Sequence, residues 1–431
     1  MKIIKNPKEK DLCKLTQRSS LKQNDLLQTV AEVFENVKTK GDRAVKMYCN
    51  KFDKVNLKSL IYNENLIKDS AGKISPDLRN AIVLAKNNIE KFHAAQLQPE
   101  LKVETSDGVF CSLQTRAIEK VGLYIPGGSA PLFSTVLMLG IPAKIAGCKE
   151  IVLCSPPGKN GEIHPAILFA ANLVGIKEVF CVGGIQAIAA MCYGTESIPK
   201  TYKIFGPGNQ YVTAAKMYAQ NLGIAIDMPA GPSELLIIAD NSSVPEFVAA
   251  DLLSQAEHGD DSQVILLSNN LLVIENSLLA LKKQLKVLPR KEIARKALKN
   301  SKAILLENLD DCISFSNLYC PEHLILAIKD FEKYSAKIIN AGSVFLGNFS
   351  CESAGDYASG TNHTLPTNGF AKNFSGVSVH CFQKFISFQE IKKQGIMNIG
   401  KAVEILAAAE NLEAHKNAVS VRLKYLENDR T

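Results

Sequence analysis

The chain has no C-x-x-C pair, although eleven cysteines are scattered from Cys13 to Cys381. That spacing excludes a four-cysteine zinc module, and an odd number in a long chain does not suit a disulfide framework. The cysteines read instead as small buried hydrophobes in a reducing compartment. No apolar run approaches the ~18 residues of a membrane helix. The longest, such as Pro165–Ile176, stop well short. Lysines open the N-terminus without an apolar stretch behind them, so no signal peptide is expected. The expectation is a soluble cytoplasmic protein without membrane contact. Excess charge is small too: 50 Lys+Arg against 43 Asp+Glu gives +7, too little to imply a nucleic-acid partner. The most basic stretch, Lys282–Lys302, has nine Lys/Arg, a single acid and no aromatic on which a base could stack. It reads as a solvated helical face.

What is present is ordinary globular composition, 46% apolar and 22% charged over 431 residues. At about one to two hundred residues per domain this means two to four folding units. The first hundred residues read as helical, with Ser75 and Pro76 as a start signal for a helix to Leu97. From Val109 short apolar runs alternate with helices, first to Leu222 and again from Ser233 to Leu346. That alternation predicts an α/β fold with mostly parallel sheets covered on both faces, two Rossmann-like αβα domains. The expected division is a helical region 1–103, a first αβ domain from 104–123 with 232–377, a second from 124–231, and a helical tail 378–431. Between Asn348 and Ser375 the text is rich in Gly, Ser, Thr, Asn and Asp, a loop long enough to suggest function.

Histidine is scarce, seven in all, and four sit in polar contexts: His258, His323, His363 and His415. Gln255 and His258 share one face at the end of a helix. Glu322 and His323 open a strand after Pro321, a carboxylate and an imidazole suited to acid–base work. Neighbours in a strand point to opposite faces, so both can serve one site only at the strand mouth. Asp356 and His363 lie on the Gly-rich loop, and Glu410 and His415 flank a helix break. Together Gln255, His258, Asp356 and His415 form an N/O donor set suited to zinc, with no thiolate. Each pair taken alone also fits a helix cap or a solvated strand start.

No G-x-G-x-x-G fingerprint is present. Gly206-Pro-Gly-Asn209 has two of the glycines, but Tyr211 stands where the third belongs. Glycine-rich turns before helices can still present backbone N–H groups to phosphates. Tyr124, on the turn Tyr124–Ser129, could stack on a base.

Seven strings carry a family resemblance: Val121–Gly128 (VGLYIPGG), Gly206–Asn209, Ile226–Glu234 (IDMPAGPSE), Ser254–Gly259 (SQAEHG), Pro321–Leu324, Gly355–His363 (GDYASGTNH) and Ala414–Val419. In this order, over roughly residues 105–420, they resemble histidinol dehydrogenases. The resemblance implies a zinc-containing, NAD-dependent homodimer that oxidises L-histidinol through the aldehyde to L-histidine, its C-terminal segment crossing to the partner. It implies metal ligation by Gln255, His258, Asp356 and His415. Substrate contacts fall at Ser233, Gln255, His258, His323, Asp356, Glu410 and His415. NAD contacts fall at Tyr124, Gln186 and Asn209, with Glu322 and His323 as the catalytic pair. Departures are small: Cys351 and Asp260 stand where the family often has proline, and Ala117 follows Arg116 where Arg-Pro is common.

The implied chemistry suits the residues. Histidinol offers an imidazole and an amine, two metal donors, so the ion serves chiefly as a template. His323 fits the base for the hydroxyl proton, and Glu322 fits water activation in aldehyde oxidation. A cysteine adduct through Cys111 or Cys154 is the alternative for the second step, though neither has a neighbouring cation to lower its pKa. A zinc hydrolase with Glu322 as base is the rival reading for the whole site, and nucleic-acid binding through Lys282–Lys302 a distant third.

Overall fold

The computed structural model describes residues 1–18, 23–127 and 131–428. In chain order the strands are β1 (Lys2–Lys5), β2 (Ile61–Tyr62), β3 (Leu101–Ser106), β4 (Val109–Ala117), β5 (Lys120–Tyr124), β6 (Glu150–Ser155), β7 (Val179–Cys181), β8 (Lys203–Phe205), β9 (Ala225–Ile226), β10 (Glu234–Ala239), β11 (Gln263–Ser268), β12 (Lys302–Leu305), β13 (His323–Ala327), β14 (Ser343–Leu346) and β15 (Gln383–Ile391). They fall into two compact units, Met1–Gln96 with Ile118–Phe382, and Leu97–Ala117 with Gln383–Thr431.

The larger unit contains two six-stranded sheets, ordered β1-β12-β11-β10-β13-β14 and β2-β7-β6-β5-β8-β9. Both follow the same circuit. The chain starts in the middle (β10 or β5), steps outward through two strands, then crosses to the other side of the starting strand for two more. Every residue of β10, β11 and β13 is buried. Their near-continuous apolar runs therefore fit a parallel sheet sandwiched between helices. Alternation sorts the side chains. Leu235, Ile237 and Ala239 join the core under helix Pro245–Ala256, while Leu236 and Ile238 join the opposite core with Cys312 and Phe315. The second sheet has a single large core that includes Val121, Leu123, Leu153 and Phe205.

Three strands lie elsewhere than expected. Lys120–Tyr124, all but its last residue assigned from sequence to the 232–377 half, is a central strand of the other sheet, parallel to β6 and β8. Four of its five residues are buried, an environment only a doubly covered sheet supplies. Lys2–Lys5, read as part of a helical region, pairs with β12 as a parallel edge strand. Gln383–Ile391, read as the start of a helical tail, pairs antiparallel with β4. Its aromatic and β-branched residues Phe385, Ile386, Phe388 and Ile391 suit a strand.

In the smaller unit β4 is flanked by β3 and β15, and helices Lys393–Ala409 and Glu413–Asn428 follow. Gly108, at φ +77°, makes the β3–β4 turn, and a Cβ there would meet the backbone of Gly395 at 2.7 Å. No helix among the described residues is long and apolar enough to cross a membrane.

Candidate active site

Residues that begin strands, not residues that end them, assemble the candidate site on the first sheet. In parallel β13, Leu235 of β10 lies opposite His323, which places Glu234 beside the Glu322–His323 peptide. The crossover helix Pro245–Ala256 runs back against the strand direction, so its last turn returns Gln255 and His258 to that same edge. Gln255 is completely buried, while His258, just past the helix end, is exposed with Nδ1 3.4 Å from Ser233 Oγ.

Glu322 and His323 do meet at the strand mouth, through the backbone of Glu234. Glu322 Oε2 accepts the Glu234 N–H at 2.8 Å, and His323 Nδ1 donates to the Glu234 carbonyl at 3.2 Å. A carbonyl cannot donate, so Nδ1 carries a proton and Nε2 is the position open to accept one. His323 Nε2 lies 3.5 Å from Asp356 Oδ1, and both atoms are buried without a hydrogen-bond partner.

The Gly-rich loop contains a short helix, Glu352–Tyr357, which sets Glu352 and Asp356 four residues apart on one face. Glu352 Oε2 accepts from Ser254 Oγ at 2.7 Å, and its Oε1 is 2.5 Å from the Gln255 amide. Ligand atoms of His258, Glu352 and Asp356 all lie within 4.8 Å of one another. Glu352 is not among the residues selected from the sequence. The signal available was its four-residue spacing from Asp356.

Electrostatics in this pocket are dominated by buried acids. Burial pushes the Glu352 carboxyl up to about 8, with Asp356 adding to the push against the opposing influence of His323. Burial also resists ionisation of Asp356, but the contact with His323, helped by His363 and His258, brings it down to about 2. Burial alone would lower His323; Glu322 and Asp356 overcome it and raise the imidazole well above its usual value. With Gln255 as a neutral oxygen donor and His258 as a nitrogen donor, this cluster fits a divalent cation, as the unpartnered Asp356 oxygen also indicates.

His363 has another task. Its Nδ1 donates to the Asp356 carbonyl at 3.0 Å and its Nε2 faces Thr135 Oγ1 at 3.1 Å, so both ring nitrogens are engaged in bracing the loop. Burial lowers its pKa against the opposing influence of Asp356. Glu410 and His415 belong to the smaller unit. Glu410 follows helix Lys393–Ala409, His415 lies in the first turn of the next helix, and both are exposed.

The strand order of the other sheet reverses between β5 and β8, and the carboxyl ends of such strands are the usual ligand position in an open α/β sheet. Tyr124 ends β5 and its hydroxyl accepts the Gly184 N–H at 3.2 Å. Asn209 caps helix Gln210–Asn221, accepting from the N–H groups of Tyr211 and Val212. Gln186 is fully buried, 3.5 Å from Asp53. Gly206, at φ +132°, comes so close to the Tyr124 carbonyl that a Cβ would sit 2.1 Å from it. The end of the expected Tyr124–Ser129 turn, Gly128 and Ser129, lies outside the described residues.

Residues 16–423 match the family model described as histidinol dehydrogenase. The chain is 56% identical over 426 residues to the histidinol dehydrogenase of Bacteroides thetaiotaomicron, covering 99% of this chain and all of that relative. It is 50% identical over 414 residues to that of Salmonella typhimurium, covering 96% and 94%. A crystal structure of histidinol dehydrogenase from Elizabethkingia anophelis superposes with a TM-score of 0.97 at 58% identity, covering 99% of both chains. The chain belongs to the histidinol dehydrogenase family.

Within this histidinol dehydrogenase fold the sequence departures leave the pocket contacts in place. Cys351 occupies the extended position before helix Glu352–Tyr357, a backbone conformation proline also adopts. Asp260 is exposed and pairs with Lys296 at 3.6 Å. Cys154 is completely buried and burial pushes its thiol far up, which removes it as a nucleophile for the second oxidation.

Proposed function

We propose that the chain oxidises L-histidinol through L-histidinal to L-histidine with two NAD, using one zinc ion per subunit, as a cytoplasmic homodimer. The observation that carries this reading is the meeting of His258, Glu352 and Asp356, with Gln255 against Glu352, beside the Glu322–His323 pair, in a chain so similar to histidinol dehydrogenases. Gln255, His258 and Asp356 would hold the zinc, with Glu352 against them. Following the resemblance, Glu410 and His415 complete metal and substrate binding from the second copy. When bound, zinc would orient the substrate through its imidazole and amine. Eleven free thiols fit a reducing compartment.

The protein groups divide the proton work. His323, its Nδ1 committed to the Glu234 carbonyl, takes the alcohol proton at Nε2 as hydride leaves for NAD, in the state where that nitrogen has given up the proton that Glu322 and Asp356 favour. Glu322, held by the Glu234 N–H, then removes a proton from the water that adds to the aldehyde. Ser233, next to His258, contacts the substrate. Tyr124, Gln186 and Asn209 line the NAD side, where the glycine turn lets the cofactor approach the backbone closely and Asn209 orders the start of the helix.

NADH absorbance with histidinol and, separately, histidinal tests the reading. Zinc-loaded protein that gives no NADH from either would refute it and favour the hydrolase alternative. Glu322→Gln is expected to impair aldehyde oxidation more than alcohol oxidation. His323→Ala should slow both by roughly 10²–10⁴-fold while zinc stays bound. Equal losses in Glu322→Gln would contradict the division of roles. Mixing inactive His415 and His323 variants should recover activity if the copies share sites.

A further inference from the structure

Both groups assigned to proton transfer hang on one residue that is not itself in the reaction. The Glu234 N–H holds Glu322, and the Glu234 carbonyl holds His323. As the first residue of β10, Glu234 is where the strand could fray, yet its side chain is 98% buried and doubly anchored. Arg18 Nε lies 2.5 Å from Oε1 and Nη2 lies 2.8 Å from Oε2, a fork-to-carboxylate match. The Asn368 N–H adds a third bond, 2.9 Å to Oε1.

Arg18 is fixed in its turn. Its guanidinium stacks over the Tyr319 ring at 4.0 Å and donates to the Tyr319 carbonyl at 2.7 Å. The Tyr319 hydroxyl continues to Gln263 Oε1 at 2.9 Å, on the strand next to β10. A planar, permanently charged fork can satisfy the carboxylate and the aromatic face together; a lysine ammonium cannot. We propose that Arg18 and Glu234 are positioning residues of the oxidation, fixing the backbone unit from which Glu322 and His323 are aimed. This rests on the function proposed above. Neither residue touches the reacting atoms, so their effect belongs to geometry, where a displacement near 1 Å can cost about 10²-fold.

The test compares Arg18→Met, Arg18→Lys and Glu234→Gln with the wild type, each loaded with zinc. In Arg18→Met, kcat with histidinol should fall roughly 10- to 100-fold while KM stays within about threefold. Arg18→Lys should restore little of it. In Arg18→Ala, free guanidinium at tens of millimolar should restore part of kcat. Protein labelled with nitrogen-15 at histidine provides a second reading: the His323 Nδ1–H resonance should shift or broaden in Arg18→Met. A kcat within twofold of wild type, or an unmoved resonance in a folded variant, would overturn the proposal. If Arg18→Met is insoluble, Glu234→Gln carries the test, with partial loss expected and no loss overturning it. Should wild-type protein fail to reduce NAD with histidinol, the functional reading fails, and the imidazole resonance still decides whether Arg18 positions His323.

Discussion

Replacing Lys216 with methionine isolates the brace beneath the proposed NAD crevice. Lys216 and Asp227 form an ion pair whose side chains are 2% and 0% exposed. Asp227 also accepts the N–H groups of Gly206 and Met228, each at 2.7 Å, and Lys216 donates to the Gly206 carbonyl at 2.8 Å. The pair therefore clamps the turn Gly206–Asn209 against β9. Removing the cation leaves a carboxylate in the interior, and breaking such a pair costs about 3–5 kcal/mol. The two surviving N–H bonds place the estimate at the lower end, about 3 kcal/mol. For the larger unit, at about 2.1 cal/mol/K of unfolding entropy per residue, that is a fall in Tm of roughly 4 °C. The assay is thermal unfolding by circular dichroism, supported by urea midpoints, for Lys216→Met, Asp227→Asn and the double variant. If the cost lies in the stranded charge, the double variant should recover about 1–3 kcal/mol relative to additivity. A loss below about 1 kcal/mol in Lys216→Met, or strict additivity, would refute the argument.

Gly206→Ala should raise KM for NAD at least about tenfold, since no L-residue fits against the Tyr124 carbonyl at that φ; steady-state kinetics at varied NAD will show it, and an unchanged KM would detach this turn from the cofactor. Rapid labelling by a thiol reagent in native protein should reach only Cys13, Cys111, Cys351 and Cys381, the others being buried, and Cys154→Ala should retain aldehyde oxidation; loss of that step alone would revive the covalent route. Burial pushes the Asp53 carboxyl up to about 6. The folded state therefore holds its proton more tightly than the unfolded chain, so the contribution to stability is full below the unfolded pKa and is lost as pH rises through about 6. Asp53→Asn should flatten Tm against pH across that window, and an unchanged slope would place the effect elsewhere.

Local pattern made much of the architecture readable. Apolar runs such as Glu234–Ala239 and Gln263–Ser268 announced strands buried on both faces, and Ser75 with Pro76 announced a helix start that the structure contains. The Pro-Glu-His-Leu string placed Glu322 and His323 at a strand mouth, as the structure also has it. The neighbours of a strand were harder to read. Lys120–Tyr124 shows by composition that it is buried, but nothing in those five residues says which sheet receives it.

Many of the strands and helices, and the adjacency of the proposed acid–base pair, were thus set by residues near one another in sequence, where backbone period and side-chain type act directly. Tertiary structure alone decided that Glu352 stands against Gln255, that Glu234 joins Glu322 to His323, and that Arg18 reaches Glu234 across 216 positions. Those contacts form only when the first sheet, its crossover helix, the N-terminal segment and the 348–375 loop come together. Burial then makes each unpaired charge costly, and so selects partners that no local pattern could reveal.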